Sequence, residues 1–413
     1  MPGVTPSRRI AVLSAAGALA LLLSGCAATA AIKATPTPTP SASSSATDSP
    51  TPSPTPSPSG SASVTPTPSG VDPGFVPALA AIQMVGPRLG WAVGAYAIFA
   101  TTDGAHWTKQ YASTDEFVGV DFISATTGWV VATRTLLGTS DGGRSWHQLG
   151  EPATPIRSVH FVSATQGWGI AGGTDPQPIH GWLIPGDGAT LVVTQDGGVS
   201  WAALDGPPNP QTVCFSQAAQ GWIGTREGAY VYQTIEQGHT WSKVLQRPDL
   251  QPSLPQATLI QCAAPNALWV LFVGGSSATS HSPYIAYATV DGNTWKAVMK
   301  ESMSEGQILP GVPAGPDTYP PSFSVVDPTD AVFIGDGPAT NVAQCVIAGD
   351  GGASLRRTGR IDNAPETFAA AFVSVTAGWV LTRNAGGDYV IDATADGGYH
   401  WSQQLAVPPT SAG

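Results

Sequence analysis

The stretch Thr139-Ser140-Asp141-Gly142-Gly143-Arg144-Ser145-Trp146 sets a carboxylate, hydroxyls and an indole around two glycines. An acid beside flexible backbone has the makings of a general acid, a general base or a cation ligand. It also has the makings of a turn: Asp side chains accept hydrogen bonds from nearby backbone N–H groups, and glycine supplies positive φ. The stretch recurs as TTDGAHW (101–107), TQDGGVSW (194–201), TIEQGHTW (234–241), TVDGNTW (289–295), AGDGGASL (348–355) and TADGGYHW (394–401). The seven acids are Asp103, Asp141, Asp196, Glu236, Asp291, Asp350 and Asp396. Seven near-identical acids, one to a repeat and spread round a ring, do not converge on one substrate, so the turn reading is favoured over the catalytic one.

A repeat at roughly 40–60 residues points to an array of small units, each unable to bury its own faces alone. A second signature precedes each acid: Gly90-Trp91, Gly128-Trp129, Gly167-Trp168, Gly221-Trp222 and Gly378-Trp379, weakened to Leu268-Trp269 and Val332-Phe333. Ahead of it run alternating segments such as VDFIS (120–124), VHFVS (159–163) and AAFVS (370–374), the pattern of half-buried strands. One unit therefore parses as four strands, in the third unit near 158–163, 167–171, 190–195 and 199–204. Four short strands per unit describe a propeller blade. The expected fold is all-β, a seven-bladed β-propeller of four-stranded antiparallel blades over residues 75–408, with a tail at 409–413.

On these residues the chain resembles the Asp-box, or BNR, repeat family, whose motif S/T-x-D-x-G-x-x-W occurs in sialidases, sortilin-type receptors, xyloglucanases and photosystem II assembly factors. Asp103 and Asp291 lie one residue closer to their Trp, Glu236 replaces Asp, and Ala348 and Leu355 depart from the motif, so the sixth unit is the most degenerate. The layout looks most like the photosystem assembly-factor group, a resemblance that implies a binding propeller.

In a blade whose strands run A-B-C-D, the A–B and C–D turns share one face and carry the repeated acids. The B–C loops and D–A connections lie on the other face. Insertions fall there: 172–189, 273–284, 335–341 and 384–387 in B–C loops, 244–257 and 298–321 in D–A connections. Loops tolerate insertion and carry function, so the working surface is expected opposite the acids, around the channel mouth. Of the 13 Trp, Trp182 alone is not required by the repeat. With His180, Asp187, His281, Tyr284, Asp317 and Tyr319 it is a candidate contact residue, against the alternative of a loop folding on its own small core. Arg134, Arg157, Arg226 and Arg383 approach the same face, where guanidinium groups suit carboxylate or phosphate. The alternative for each is a solvated strand end paired with a local acid.

The remaining chain bounds location. Arg8 and Arg9 precede an apolar run from Ile10 to Leu23, the pattern of an export leader over 1–25. Leu23-Ser24-Gly25-Cys26 resembles the lipobox of bacterial lipoproteins, which implies lipidation at Cys26, a lipidated N-terminus over 26–34 and an extracytoplasmic, membrane-anchored protein. Residues 35–70 are almost entirely Pro, Thr, Ser, Ala and Gly, too poor in apolar surface to fold, and read as a disordered tether. Removing the leader loses two arginines and no acid, so the balance becomes more acidic than the −11 of the full chain; nucleic acid is excluded as main partner. Cys214, Cys262 and Cys345 lack metal spacing. Cys214 and Cys262, at nearly matching places in adjacent repeats, are the preferred disulfide, with three buried thiols as the alternative.

Resemblance to sialidases would imply an arginine triad gripping the sugar carboxylate and an Arg-Ile-Pro motif before the first acid; LAAIQMV (79–85) has no such arginine. No zinc His-Glu-x-x-His or phosphate loop is present, so neither metal nor cofactor is expected. The expectation is a non-enzymatic propeller that binds a protein or peptide. The alternative is a glycoside hydrolase or binder of a cell-wall glycan.

Overall fold

A computed structural model describes residues 76–150, 154–180, 182–226, 230–246, 255–263, 265–274, 282–301, 309–335 and 340–409. The leader, Cys26, the 35–70 tether and His281 lie outside the described residues.

Seven four-stranded antiparallel sheets follow one another. Blade 1 is β1 (Ala81–Met84), β2 (Gly90–Gly94), β3 (Ala97–Thr101) and β4 (Trp107–Ala112). Blade 2 is β5 (Phe117–Phe122), β6 (Gly128–Ala132), β7 (Leu136–Thr139) and β8 (His147–Gln148). Blade 3 is β9 (Ile156–Phe161), β10 (Gly167–Gly172), β13 (Ala189–Thr194) and β14 (Ala202–Leu204). It carries an inserted two-stranded hairpin, β11 (Gln177–Ile179) and β12 (Trp182–Ile184). Blade 4 is β15 (Pro210–Gln217), β16 (Gln220–Thr225), β17 (Tyr230–Thr234) and β18 (Ser242–Gln246). Blade 5 is β19 (Pro255–Ala263), β20 (Ala267–Gly274), β21 (Tyr284–Thr289) and β22 (Lys296–Lys300). Blade 6 is β23 (Ser322–Val325), β24 (Ala331–Gly335), β25 (Val342–Gly349) and β26 (Ser354–Asp362). Blade 7 is β27 (Glu366–Phe372), β28 (Gly378–Arg383), β29 (Tyr389–Thr394) and β30 (Ser402–Val407). The A strands β1, β5, β9, β15, β19, β23 and β27 each contact the next, and β27 returns to β1. The seven-bladed propeller is thus a closed ring around a central channel.

The repeat signature has a physical cause at the blade seams. Trp91 of blade 1 lies flat on Phe122 of blade 2, with ring centroids 3.4 Å apart. Trp129 on Phe161 and Trp168 on Phe215 repeat this at 3.5 and 3.6 Å. The other face of each phenylalanine rests on the glycine before its own blade's tryptophan. A Cβ on Gly128, Gly167 or Gly221 would fall inside that ring, which is why Gly precedes Trp. The tryptophan N–H donates to the next blade's acidic turn, from Trp129 to the Gly197 carbonyl at 2.8 Å and from Trp168 to the Gln237 carbonyl at 3.1 Å.

The acidic turns are self-contained. Asp141 Oδ1 accepts the Thr139 hydroxyl and the Ser145 amide, both at 2.9 Å, and Oδ2 accepts the Ser145 hydroxyl at 2.6 Å. Asp196 repeats the set. In Asp103 and Asp396 a histidine replaces the serine, with His106 Nδ1 at 2.7 Å and His400 Nδ1 at 2.5 Å from the carboxylate. Gly142 and Gly143 adopt φ of 77° and 82°, and the Gly142 amide donates to Thr126 O, docking the turn on the A–B turn. Blade 6 lacks the hydroxyl. Asp350 itself takes φ 55°, and the turn closes by a Gly352 amide to the Gly349 carbonyl.

Ring closure uses no exchanged strand, because blades 1 and 7 are each contiguous in the chain. Side chains close it. Gln404 accepts from the Trp107 and Trp379 indoles at 2.8 and 3.1 Å and donates to the Gly104 carbonyl at 3.0 Å.

Two predictions follow from these seams and turns. Replacing Gln404 with Ala strands the Trp107 indole N–H, while the Trp379 indole keeps the Gly104 carbonyl at 3.1 Å; a stranded partly buried donor costs about 1–3 kcal/mol. Urea unfolding should show a loss in that range, with amide exchange accelerated first in blades 1 and 7; uniform acceleration across all blades would contradict the seam account. The donors around Asp141 hold its carboxyl at about 2, below the ordinary 3.8. A carboxyl depressed by folding stabilises above its unfolded pKa and loses that stabilisation as pH falls through its folded one. Thermal midpoints should therefore drop between pH 4 and 2, and Asp141→Asn should be less stable at neutral pH with a shallower acid decline. Parallel curves for the two proteins would exclude the proposed role.

Candidate functional site

The central channel holds a cavity of about 390 Å³. Its wall comes from the A strands of all seven blades together with His180, Trp182 and Leu183 of the hairpin. The β11–β12 hairpin leaves blade 3 on the loop face and lies across the channel. Ile184 and Trp182 join the core of blades 5 and 6, with Leu259, Trp269, Phe323 and Phe333. Trp182 stacks on Phe323 at 5.5 Å. Leu183 packs instead among Val118, Val131 and Phe161 of blades 2 and 3. The hairpin is therefore a bridge across the channel mouth, held by apolar side chains on opposite sides. His180, at its tip with φ 44°, places Nδ1 3.4 Å from the Ser322 hydroxyl. Burial pushes its imidazole down to about 4, against a hydrogen bond to the Thr367 backbone.

Burial along the A strands gives the channel a direction. Near their starts, Val118, Thr212, Ser322 and Thr367 are buried. Toward their ends, Gln83, Asp121, His160 and Gln261 are half-buried. The end of each A strand leads into the A–B turn, on the acidic-turn face. The hairpin closes the loop-face mouth, and the more accessible half of the channel faces the acidic turns.

The half-buried residues belong to a largely polar ring of seven equivalent positions, of which only Cys214 is a sequence-level candidate; Cys214, Ser324 and Ala371 are buried. Gln83, Asp121, His160, Cys214, Gln261, Ser324 and Ala371 each lie opposite strand B at the repeat's tryptophan position. Six of them reach the next blade. Gln83 exchanges two hydrogen bonds with the Phe122 backbone at 2.6 and 3.1 Å. Asp121 accepts the Phe161 amide at 2.7 Å, and His160 Nε2 contacts the Phe215 carbonyl at 2.8 Å. Cys214 is disulfide-bonded to Cys262 of blade 5. Gln261 bonds the Val325 amide and the Phe323 carbonyl, each at 2.9 Å. Ser324 accepts the Phe372 amide at 2.8 Å. Burial raises the Asp121 carboxyl, opposed by the nearby His160. The signal was present in the repeats, as the polar residue before Phe in VDFIS and VHFVS.

The arginines do not converge on one point. Arg134 pairs with Asp115 at 3.4 Å, Arg226 with Asp187 at 3.0 Å and Arg383 with Glu366 at 3.6 Å. Arg383 also lies over the Tyr389 ring. All three approach the loop face and keep 39–49% side-chain exposure. Arg157 is half-buried and donates to the Gly172 and Thr133 carbonyls at 3.2 and 3.4 Å. Tyr284 is a core residue whose hydroxyl donates to the Asp317 carbonyl at 2.9 Å, with burial raising its pKa. Tyr319 is half-buried in the same connection. Contrary to the expectation that the chain holds no Gly-x-Ser-x-Gly elbow, Gly138-Thr139-Ser140-Asp141-Gly142 has the spacing of a hydrolase nucleophile elbow. Such an elbow joins a strand to a helix; here the segment joins β7 to β8, and the Asp141 carboxylate is spent on its own turn.

No family model matches the chain, and no curated protein matches it. Solved structures share the fold. YCF48 bound to D1 peptide aligns with a TM-score of 0.51 at 16% identity, over 78% of this chain and 94% of that one. The GH74 xyloglucanase from Xanthomonas campestris aligns with a TM-score of 0.54 at 12% identity, over 80% of this chain but only 55% of the enzyme. An oligogalacturonate lyase in complex with manganese gives 0.52 at 12% identity, covering 78% and 90%. These likenesses establish the propeller and span both a peptide-bound protein and enzymes.

His180 supplies a pH test of the bridge. Its pKa is lowered in the docked state, so it stabilises docking above the ordinary 6.5, and that contribution is lost as pH falls toward about 4. Amide exchange in 177–184 should accelerate between pH 7 and 4.5 relative to the blade cores, after correction for intrinsic rates. His180→Asn, which tolerates positive φ, should abolish the excess; an unchanged excess would rule His180 out.

Proposed function

We propose that this chain is a membrane-anchored, extracytoplasmic propeller that captures a protein or peptide on its loop face and performs no catalysis. The observation that carries this reading is the set Arg134, Arg226 and Arg383. They occupy corresponding places at the ends of β6, β16 and β28 and share one face. Each is paired with a single carboxylate, exposed for Asp187 and Glu366 and buried for Asp115. The two exposed pairs contribute about 0–1 kcal/mol each, so exchanging their local acid for a carboxylate on a partner costs little, and guanidinium forks favour that geometry; buried Asp115 keeps the Thr133 and Thr135 hydroxyls when Arg134 turns outward. The peptide-bound YCF48 shares the fold and supports a photosystem-assembly-factor-like reading. The leader, Cys26 and the tether support anchoring outside the cytoplasm, with lipid at Cys26. The glycosidase alternative draws on fold likeness to GH74 enzymes. Against it, Trp182 is packed on Phe323 and not displayed for a sugar, and the repeated acids other than Asp350 are engaged in their own turns.

Photo-cross-linkers placed at Asp187 on the loop face and at Val199 on the acidic-turn face, on intact cells, should give partner adducts from the first site only. Replacing Arg134, Arg226 and Arg383 together with Gln should cut capture about tenfold or more, while the thermal midpoint moves little. Capture unaffected by the triple substitution would sink the arginine site. Sustained turnover in a screen of cell-wall and sialylated glycans would overturn the non-enzymatic reading.

A further inference from the structure

The disulfide sits in an unusual place. Cys214 occupies the polar-ring position of blade 4, and Cys262 faces it from blade 5. Across the preceding seam stands His160, whose ring follows the same ring position in blade 3. A ring nitrogen of His160 and both sulfurs lie within 4.8 Å of one another. All three residues line the channel cavity, and His160 and Cys262 are half-buried, so the group meets open space. The disulfide therefore stands in for two thiolates of a Cys₂His donor set.

That set fits one kind of ion. Thiolate and imidazole together favour thiophilic closed-shell cations over magnesium or calcium. Bond lengths of about 2.3 Å to sulfur and about 2.0 Å to nitrogen need the three donors under about 4 Å apart, close to the spacing the seam already imposes. Three protein ligands leave a fourth position, and the cavity supplies room for it.

We propose that His160, Cys214 and Cys262 form a redox-gated site for one zinc(II) or copper(I) ion in the central channel. The oxidised form is closed to metal because a disulfide sulfur carries no thiolate charge and is a weak donor. A dithiol reductant opens it: the S–S bond breaks, each sulfur takes one electron and one proton, and the reductant closes to its own cyclic disulfide. Metal binding then releases the two thiol protons as the thiolates coordinate. The site does not depend on the proposed partner face, because it lies in the channel and not at Arg134, Arg226 or Arg383.

The experiment uses the full chain in oxygen-free buffer, oxidised or reduced with a dithiol that is then removed. Cobalt(II) serves as the spectroscopic probe for the zinc geometry, and copper(I) is tested by chelator competition. The reduced protein should bind one equivalent, with a sulfur-to-cobalt charge-transfer band, and the oxidised protein none. Cys214→Ser should abolish the band, His160→Ala should weaken binding about tenfold or more, and Cys345→Ala should leave it unchanged. Which ion is held more tightly separates zinc from copper(I). Circular dichroism follows the fold throughout. The proposal is overturned if the reduced protein binds neither ion, if His160→Ala binds like the wild type, if the oxidised form binds equally, or if reduction alone unfolds the propeller.

Discussion

The structure depends on one contact: an indole from strand B of one blade clamped by strand A and the acidic turn of the next. The phenylalanine stack removes the flat faces of Trp91, Trp129 and Trp168 from water, and all three indoles are essentially fully buried. Burial of that size obliges the indole N–H to find an acceptor, and the acidic turn supplies it at the Gly142 and Gly197 carbonyls and their Gln237 counterpart. The turn must then hold its carbonyl still, and the Asp carboxylate does so by gathering the turn's amides and hydroxyls. The acids are conformational parts whose negative charge is used up locally.

The same logic accounts for the places where the repeat decays. Blade 5 has Leu268 for glycine and Cys262 where the stacking aromatic stands elsewhere, and the Trp222 indole N–H has no acceptor. A covalent bond from Cys214 holds that seam instead. Blade 6 has, by strand register, Ala331-Val332 in the Gly-Trp place, one residue earlier than the expected Val332-Phe333. Its core is filled by Phe323 stacked on Phe333 at 5.6 Å and by Trp182 arriving from blade 3. At the closing seam Met84 replaces the aromatic against Trp379. Each lapse is met by a different device, and two of them, the disulfide and the hairpin, also shape the channel.

The fold was legible because its cause is periodic. Alternation in VDFIS and VHFVS, the glycine before tryptophan and the acidic turn each answer to a local steric or hydrogen-bonding need, so they recur at readable spacing. The third unit's strands fall at 156–161, 167–172, 189–194 and 202–204, within a few residues of the sequence parse. The channel was less legible because its features come from long-range partners. Nothing near Trp182 announces Phe323, 141 positions away, as its stacking partner. The role of His160 appears only when blades 3, 4 and 5 are brought together. The arginines were placed on the expected face by topology, but their separate acid partners are tertiary facts.

The hairpin gives the ring a polarity that the repeat alone does not. A symmetric propeller has a channel open at both ends, with small side chains tapering toward the axis. Here one mouth is bridged by residues that belong to the cores of blades 2, 3, 5 and 6 at once. The proposed partner surface and the channel access therefore lie on different faces. The loop face carries partly exposed arginines around a bridged mouth. The acidic-turn face leads toward the polar ring and the cavity of about 390 Å³. A partner captured on the loop face, as proposed, would leave the approach to the half-buried His160 and Cys262 uncovered.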